Sequence, residues 1–355
     1  MKPLQIFCIV IAIFTMTSCG RKTTENRYDF ILSDKVKDTA AVLTAEDIGF
    51  TPPISAVSVY IYGDSIAVVH NTDKAHRKHV ELYNINDNSL ILGMIPIGNG
   101  PGEMVSANSR YNNDTLVIWD FMKSNIAAIS IKNAVSDTGY RPILRPFSLT
   151  PKCMWPYKGR LMAINPNCFR YDKLGINNDG PRLIISDSNY VYKESRKYDI
   201  QTVNAVYTDF FISWKNNRII VFDTSEPRIE IFDTNLNLQK TIYGPELPDE
   251  IRYSTYENFG TYVAAEGKSP ESYHTFCTDE DFFYLAYNGD FFSRDKTMYD
   301  LSTWIFKFDW DGNFVDSYYV DHFVSSMSLS EDGQSMYIFG VNRDGENVFY
   351  RARLT

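Results

Sequence analysis

One pattern constrains this sequence more than any single motif: a turn residue followed by four to six mostly apolar residues. It occurs at Asp64 (Ser65–Val69), Asp114 (Thr115–Trp119), Gly159 (Arg160–Ile164), Asn217 (Arg218–Phe222), Asp281 (Phe282–Ala286) and Gly333 (Gln334–Phe339). The six starts lie 50, 45, 58, 64 and 52 residues apart, the spacing of repeat units built from a few strands each. No unit of that length buries its own apolar faces. The pattern therefore demands neighbours stacked around an axis, which predicts an all-β, six-bladed β-propeller.

Each strand has a partner one loop later: Val80–Tyr83, Ile126–Ile129, Arg182–Ile185, Ile229–Phe232, Trp304–Phe308 and Val348–Arg351. Asn/Asp/Gly turns at 84–88, 233–237 and 309–313 then lead to weaker outer strands, and a further strand precedes each unit, as in Val57–Tyr62, Phe210–Trp214 and Val324–Leu329. Four strands per blade, labelled A to D from the axis outwards, account for the order. After the C strand of blade 6 the sequence ends at Thr355, so its D strand is expected from the N-terminal side, between Asp29 and Thr44, closing the ring and covering an open edge. The expected organisation is a leader over 1–18, a tether over 19–28 and one propeller over 29–355. Residues 244–272 read as a long insertion lying over one face.

Composition agrees with strands: 15% of the 355 residues are aromatic, 24 of them Tyr and 23 Phe. Tyr83, Trp119, Phe222, Phe232, Tyr284, Phe306, Tyr337 and Phe349 recur on the paired middle strands and are expected between blades rather than against a ligand. The formal charge is −9, and no basic cluster is large enough to neutralise a row of phosphates, which disfavours nucleic acid as a partner. The densest basic stretch, Lys74 to His79, reads as a solvated loop. Cys153, Cys168 and Cys277 are an odd set besides Cys19, and buried thiols are the default for them.

The N-terminus differs from the rest. Lys2 precedes an uncharged apolar run from Ile6 to Phe14, followed by Met16-Thr17-Ser18-Cys19. About nine apolar residues at roughly 1.5 Å each cross only half a bilayer core, so this reads as a secretory signal. The residues before Cys19 resemble the bacterial lipobox, with Met16 where Leu is usual. That resemblance implies cleavage before Cys19, acylation of it by diacylglycerol and a palmitate-like chain, and a lasting membrane anchor. Gly20 rather than Asp at the next position argues, by the same resemblance, against retention in the inner membrane, and no acidic surface-export tract follows. A periplasm-facing outer-membrane anchor is the expected address. Asp38-Thr39-Ala40, Asp64-Ser65-Ile66 and Asp114-Thr115-Leu116 resemble O-glycosylation sites of Bacteroides-type bacteria.

Gly98-Asn99-Gly100-Pro101-Gly102-Glu103, Ile305-Phe306-Lys307-Phe308-Asp309-Trp310-Asp311-Gly312-Asn313, and Ser328-Leu329-Ser330-Glu331-Asp332-Gly333 leading into Met336-Tyr337-Ile338 carry a further likeness. In these stretches, and over nearly all of the mature chain, the sequence resembles the TolB-like six-bladed propeller lipoproteins of Bacteroides-type bacteria, related in architecture to NHL-repeat propellers. The resemblance implies a fold and no reaction.

Chemistry is expected where loops gather on a rigid scaffold, at the B–C loops and blade crossings around the channel. His70, Glu103, Asp120, Arg170, Asp223, Arg294 and Arg343 are the candidate ligand-binding residues. The glycines of 98–102 do not open a helix or precede Lys-Ser/Thr, which excludes a P-loop, and they are expected to supply positive φ in a tight crossing. No GxSxG elbow, HExxH or CxxC occurs, so no catalytic residue and no metal ligand is assigned. The expected function is a lipid-anchored envelope propeller that binds a protein, glycan or peptide, without an obligate cofactor. The alternative is a lactonase-like or lyase-like enzyme with calcium in the channel, for which Glu103, Asp120, Asn165 and Asp223 form the candidate set.

Overall fold

The structure, a computed structural model, describes residues 30–354 except 73–76, 113, 149–152, 166–168, 173–174, 179–181, 192–207, 225, 247–252, 257–260, 265–270 and 291–294. Only the backbone is described for 169–172, 175–178, 208, 253–256 and 261–264. The chain starts with β1 (Phe30–Ile31), α1 (Lys35–Asp38), β2 (Ala41–Val42) and β3 (Ala45–Glu46). Blade 1 follows as β4 (Ala56–Tyr62), β5 (Ile66–Asn71), β6 (Lys78–Asn84) and β7 (Ser89–Pro96). Blade 2 is β8 (Ala107–Asn112), β9 (Thr115–Asp120), β10 (Asn125–Ser130), α2 (Ile131–Ser136) and β11 (Arg145–Pro146). Blade 3 contains β12 (Met154–Tyr157), β13 (Arg160–Ile164) and β16 (Leu183–Ile185), with the hairpin β14 (Phe169–Asp172) and β15 (Gly175–Asn178) in its B–C connection. Blade 4 is β17 (Thr208–Ser213), β18 (Arg218–Asp223), β19 (Arg228–Asp233) and β20 (Leu238–Tyr243). A second hairpin, β21 (Tyr253–Tyr256) and β22 (Thr261–Ala264), leads to blade 5: β23 (Tyr273–Thr278), β24 (Phe282–Tyr287), β25 (Thr303–Asp309) and β26 (Phe314–Val320). Blade 6 is β27 (Phe323–Leu329), β28 (Ser335–Val341) and β29 (Asn347–Arg353).

The middle strands are apolar on both faces because both faces are buried, as in other sheets covered on two sides. In β9, Leu116 and Ile118 pack towards blade 1 while Val117 and Trp119 pack towards blade 3. In β18, Ile219 and Val221 face blade 3, and Ile220 and Phe222 face blade 5. The same alternation in β28 puts Met336 and Ile338 against blade 5, and Tyr337 and Phe339 against blade 1. The core is thus a series of layers between blades, and each fully buried Phe or Ile in a layer contributes about 1.5–3 kcal/mol. The expected interblade aromatics Trp119, Phe222, Phe232, Tyr284, Phe306, Tyr337 and Phe349 are all buried, and Tyr83 is half-buried.

Ring closure differs in detail from the expectation. The D strand of blade 6 is β3, just beyond Thr44, pairing antiparallel with Arg351 and Ala352 of β29. The stretch before it serves other blades: β1 adds a parallel fifth strand to blade 4 and β2 does the same for blade 5. The N-terminal segment therefore straps three consecutive blades. Leu32 and Val36 enter the layer between blades 4 and 5, and Lys37 pairs with Glu246 with its ammonium 4.4 Å from the Trp304 ring centroid. Beyond pairing, Ser326 and Ser328 of β27 accept the Val59 and Ile61 amides of β4 at 2.9 and 2.8 Å, which seals the seam between last and first blades.

A five-residue turn repeats at 187–191, 233–237, 309–313 and 342–346. In each, the leading Asp or Asn accepts the amides two and four residues on, and the fourth residue has positive φ: Tyr190 (65°), Leu236 (70°), Gly312 (74°) and Gly345 (79°). This is the three-residue hairpin loop with a bulge. Gly340 in β28 has a different reason to lack a side chain: a β-carbon there would sit 2.1 Å from the Phe323 carbonyl oxygen. Gly340→Ala is therefore expected to cost about 2–4 kcal/mol through a forced backbone shift, read as a lower urea midpoint. An unchanged midpoint would show that the β27–β28 pairing, whose register shifts between Val324 and Ser326, yields freely.

Candidate binding sites at the channel mouths

At the end of the propeller that carries the B–C loops, every B strand ends on an Asn or Asp or is followed directly by one: Asn71, Asp120, Asn165, Asp223, Asn288 and Asn342. The first five are buried. No sequence expectation named this sixfold element, whose signal is an Asn or Asp one to three residues after each apolar run. The apolar faces of the strand end here, and the Asx side chains satisfy the backbone where the chain turns away. Asp120 is the fullest case: its carboxylate accepts the amides of Val105, Met122, Lys123 and Ser106 at 2.5, 2.7, 3.3 and 3.4 Å, tying the blade 2 B–C turn to the incoming A strand. Lys123 Nζ then donates to the Gly100 and Glu103 carbonyls at 2.6 and 2.8 Å.

Glu103 folds back on its own loop, where its Oε2 accepts the Gly100 amide at 2.6 Å. The glycines serve this contact more than they serve positive φ. Only Gly102 has a positive φ (75°), whereas a β-carbon at Gly100 would meet Glu103 Oε2 at 2.9 Å and one at Gly98 would collide with the same oxygen.

His70 is buried with Nδ1 2.9 Å from Ser109 Oγ of blade 2, and its Nε2 has no partner among the described residues. His79 is fully buried, with Nδ1 and Nε2 each 3.1 Å from a carbonyl, those of Asn71 and Met104. The end of the basic stretch, Lys78 and His79, thus opens β6 and is not a solvated loop. Burial, with smaller contributions from His79 and Arg110, pushes the His70 imidazole down to about 3. Burial likewise takes His274, stacked on Phe323, down to about 4.

Across the axis, Arg110 of blade 2 pairs with Asp209 of blade 4, and the Cys153 thiol of blade 3 donates to the same carboxylate at 2.7 Å. Burial holds the Cys153 and Cys277 thiols well above their usual range, so both are un-ionised packing groups. Asp223 is clamped by Arg182 Nη2 at 2.8 Å and Arg228 Nε at 2.8 Å, and Arg182 Nε also donates to Glu230 at 2.6 Å. Burial pushes the neighbouring Glu226 carboxyl up against the pull of Arg228.

Of the seven candidates, His70, Asp120 and Asp223 are therefore buried in internal contacts, Glu103 is partly buried, and Arg343 is exposed in its turn. Arg170 lies on β14 with its side chain outside the described residues, as are Arg294, Cys19 and Cys168. The calcium set does not fit a cation. Both Asp120 oxygens are taken by amides, and two guanidiniums hold Asp223. Among the described residues no three His, Cys, Asp or Glu side chains group as metal ligands.

A cavity of about 210 Å³ opens at the opposite end, where the A–B turns lie. Strands β4, β8, β23 and β27 line it, bringing Tyr62, Tyr111, Asn112, Phe276, Asp279 and Glu331 together from four blades. None of the seven candidates lines it. Asn112 holds its inner side: Nδ2 donates to the Ile212 carbonyl at 3.0 Å, and Oδ1 accepts from Thr278 Oγ1 at 3.0 Å, joining blades 2, 4 and 5 across the axis. The acidic turns Asp279-Glu280-Asp281 and Glu331-Asp332 were readable as charge in the sequence, but the void between them was not.

Two outcomes test these assignments. Asp120→Ala strands four amides and is expected to cost about 2–4 kcal/mol in urea unfolding, with Asp120→Asn costing less than half as much. His70 and His274 have folded values below the free value of 6.5, so the unfolded chain binds those protons first. Their contribution is complete above pH 6.5 and is lost as pH falls towards 4, by about 2 kcal/mol per ring at pH 5. The urea midpoint is expected to drop between pH 7 and 5, and less so in His70→Gln; equal slopes in both would remove His70 from this role.

Comparison with known proteins agrees with the architecture. A DUF4221 family member from Bacteroides vulgatus superposes with a TM-score of 0.55 at 9% identity, covering 88% of this chain and 97% of that one. A putative exported protein from Bacteroides fragilis gives 0.53 at 10% identity, covering 92% of this chain and 99% of that one. At such identities the likeness concerns the fold alone. A search of curated proteins found no match. The family described as TolB-like 6-blade propeller-like matches residues 33–332, most of the blades described above. The chain belongs to the TolB-like six-bladed propeller family.

Proposed function

We infer that this propeller is a lipid-anchored envelope protein that works by binding, and that its binding site is the mouth at the A–B turns. The observation that carries the reading is the contrast between the two mouths. At the B–C end the charged groups nearest the axis, Asp120, Asp223, Arg182, Arg110 and Asp209, are held by contacts within and between blades. At the A–B end four blades leave a cavity whose carboxylates, Asp279 and Glu331, have no ion-pair partner among the described residues. A rigid ring presenting such a cavity suits recognition of a protein, peptide or glycan.

The anchor rests on the N-terminal sequence, with Cys19 as the acylated residue and the outer membrane, periplasmic face, as its address. The eleven residue-to-residue steps from Cys19 to Phe30 span at most roughly 40 Å, which would keep the ring close to the bilayer. Labelling cells with alkyne-palmitate is expected to mark the wild-type chain and not Cys19→Ser, which should leave the membrane fraction. Equal labelling would end the anchor assignment. A photo-crosslinking residue at position 62 is expected to capture an envelope component, with little capture from position 343 on the other mouth. Capture from 343 alone would move the site to the B–C end.

A further inference from the structure

We propose that the A–B cavity is a cation-selective site for one ammonium or guanidinium group, carried by a small amine or by a Lys or Arg side chain of a peptide. This rests on the reading of the chain as a binding protein and adds the chemistry of the site. Four features carry it. The lining contains Asp279 and Glu331 and no Lys or Arg. A third carboxylate stands beside them, since Asp64 Oδ1 accepts the Glu331 amide at 3.1 Å. The nearby cation Lys215 is paired with Glu280 on the surface. Tyr111 is 8% exposed and lines the cavity, stacked on Tyr60 at 4.9 Å, yet its hydroxyl has no hydrogen-bond partner among the described residues.

An organic cation matches that set. Its charge would lie between the two carboxylates, and its N–H groups would meet the Tyr111 hydroxyl. The half-buried Tyr62 ring suits the alkyl stem or the cation itself, whereas the Phe276 ring is stacked on Phe211 in the layer between blades 4 and 5. A cavity of about 210 Å³ is below the roughly 300–1,000 Å³ of drug-sized sites, so it takes a side-chain-sized group and not a whole glycan. A phosphate or carboxylate ligand would be repelled.

The test is equilibrium dialysis of the mature lipoprotein in neutral detergent against agmatine, the peptide Gly-Arg-Gly and its uncharged analogue Gly-citrulline-Gly. Saturable one-site binding of at least one cationic probe is expected, with the citrulline peptide about tenfold weaker or more. Glu331→Gln and Asp279→Asn are each expected to weaken it about 3- to 10-fold, and added salt to weaken it further. Glu331 is exposed, and Asn at 279 keeps an acceptor for the Asp281 and Phe282 amides, so both variants should keep the wild-type urea midpoint. Agmatine binding with a silent peptide identifies a free amine as the ligand; a tighter peptide identifies a partner chain. No saturable cation binding up to about 10 mM, equal binding of the citrulline peptide, or no effect of the two substitutions overturns the proposal. If crosslinking from position 62 persists in that case, the binding function stands and only its chemistry is wrong; if crosslinking is lost as well, both fall.

Discussion

Every blade depends on its neighbours because its middle strands are apolar on both faces. Ile219 and Val221 need blade 3, while Ile220 and Phe222, one residue out of step, need blade 5. No blade can be removed without exposing two layers, and no ring can stay open. That constraint explains why three short strands of the N-terminal segment run along blades 4, 5 and 6, and why serine hydroxyls bridge the seam between β27 and β4. The strap is weak as secondary structure, two residues per strand, and gains its hold by burying Leu32 and Val36.

The same constraint sorts the polar residues. With the faces of the blades taken by apolar side chains, polar groups collect at strand ends, where the backbone turns and its amides need acceptors. The Asn or Asp that ends or directly follows each B strand answers that need. Charged residues near the axis at this end are mostly blade-to-blade connectors, as with Arg110–Asp209 and Arg182–Asp223. Buried pairs of this kind are poor evidence for a ligand, since each partner's charge is already compensated. The cavity at the other end differs in that the carboxylates among its lining residues, Asp279 and Glu331, have no cationic partner among the described residues, although Asp279 also accepts the Asp281 and Phe282 amides of its own turn.

Much of the fold was legible in the sequence. Apolar runs such as Arg218–Phe222 and Phe282–Ala286 are too long and too uniform for a strand with one wet face, and their period set the number of blades. The turns at 233–237 and 309–313 were readable from Asp and Asn at their ends. The exact closing strand was not, because Ala45–Glu46 carries no pattern of its own and is chosen by the free edge of β29. The candidate site is legible in the sequence only as residue type and loop position. His70, Asp120 and Asp223 meet both, and their partners lie in other turns or other blades: Ser109 for His70, Val105 for Asp120, Arg182 for Asp223.

The sequence by itself determined the repeat, the strand faces and the turn chemistry, since these depend on residues a few positions apart and on the alternation of side chains along a strand. The proposal of an anchor at Cys19 likewise rests on local residue order alone. Only the tertiary structure decided which charges are neutralised and where space remains. Arg110 and Asp209 are 99 residues apart, and Asn112 and Thr278 are 166 apart. Contacts of that separation exist because the ring closes, and so does the void between Tyr62, Tyr111, Asp279 and Glu331, which no local pattern in the chain encodes.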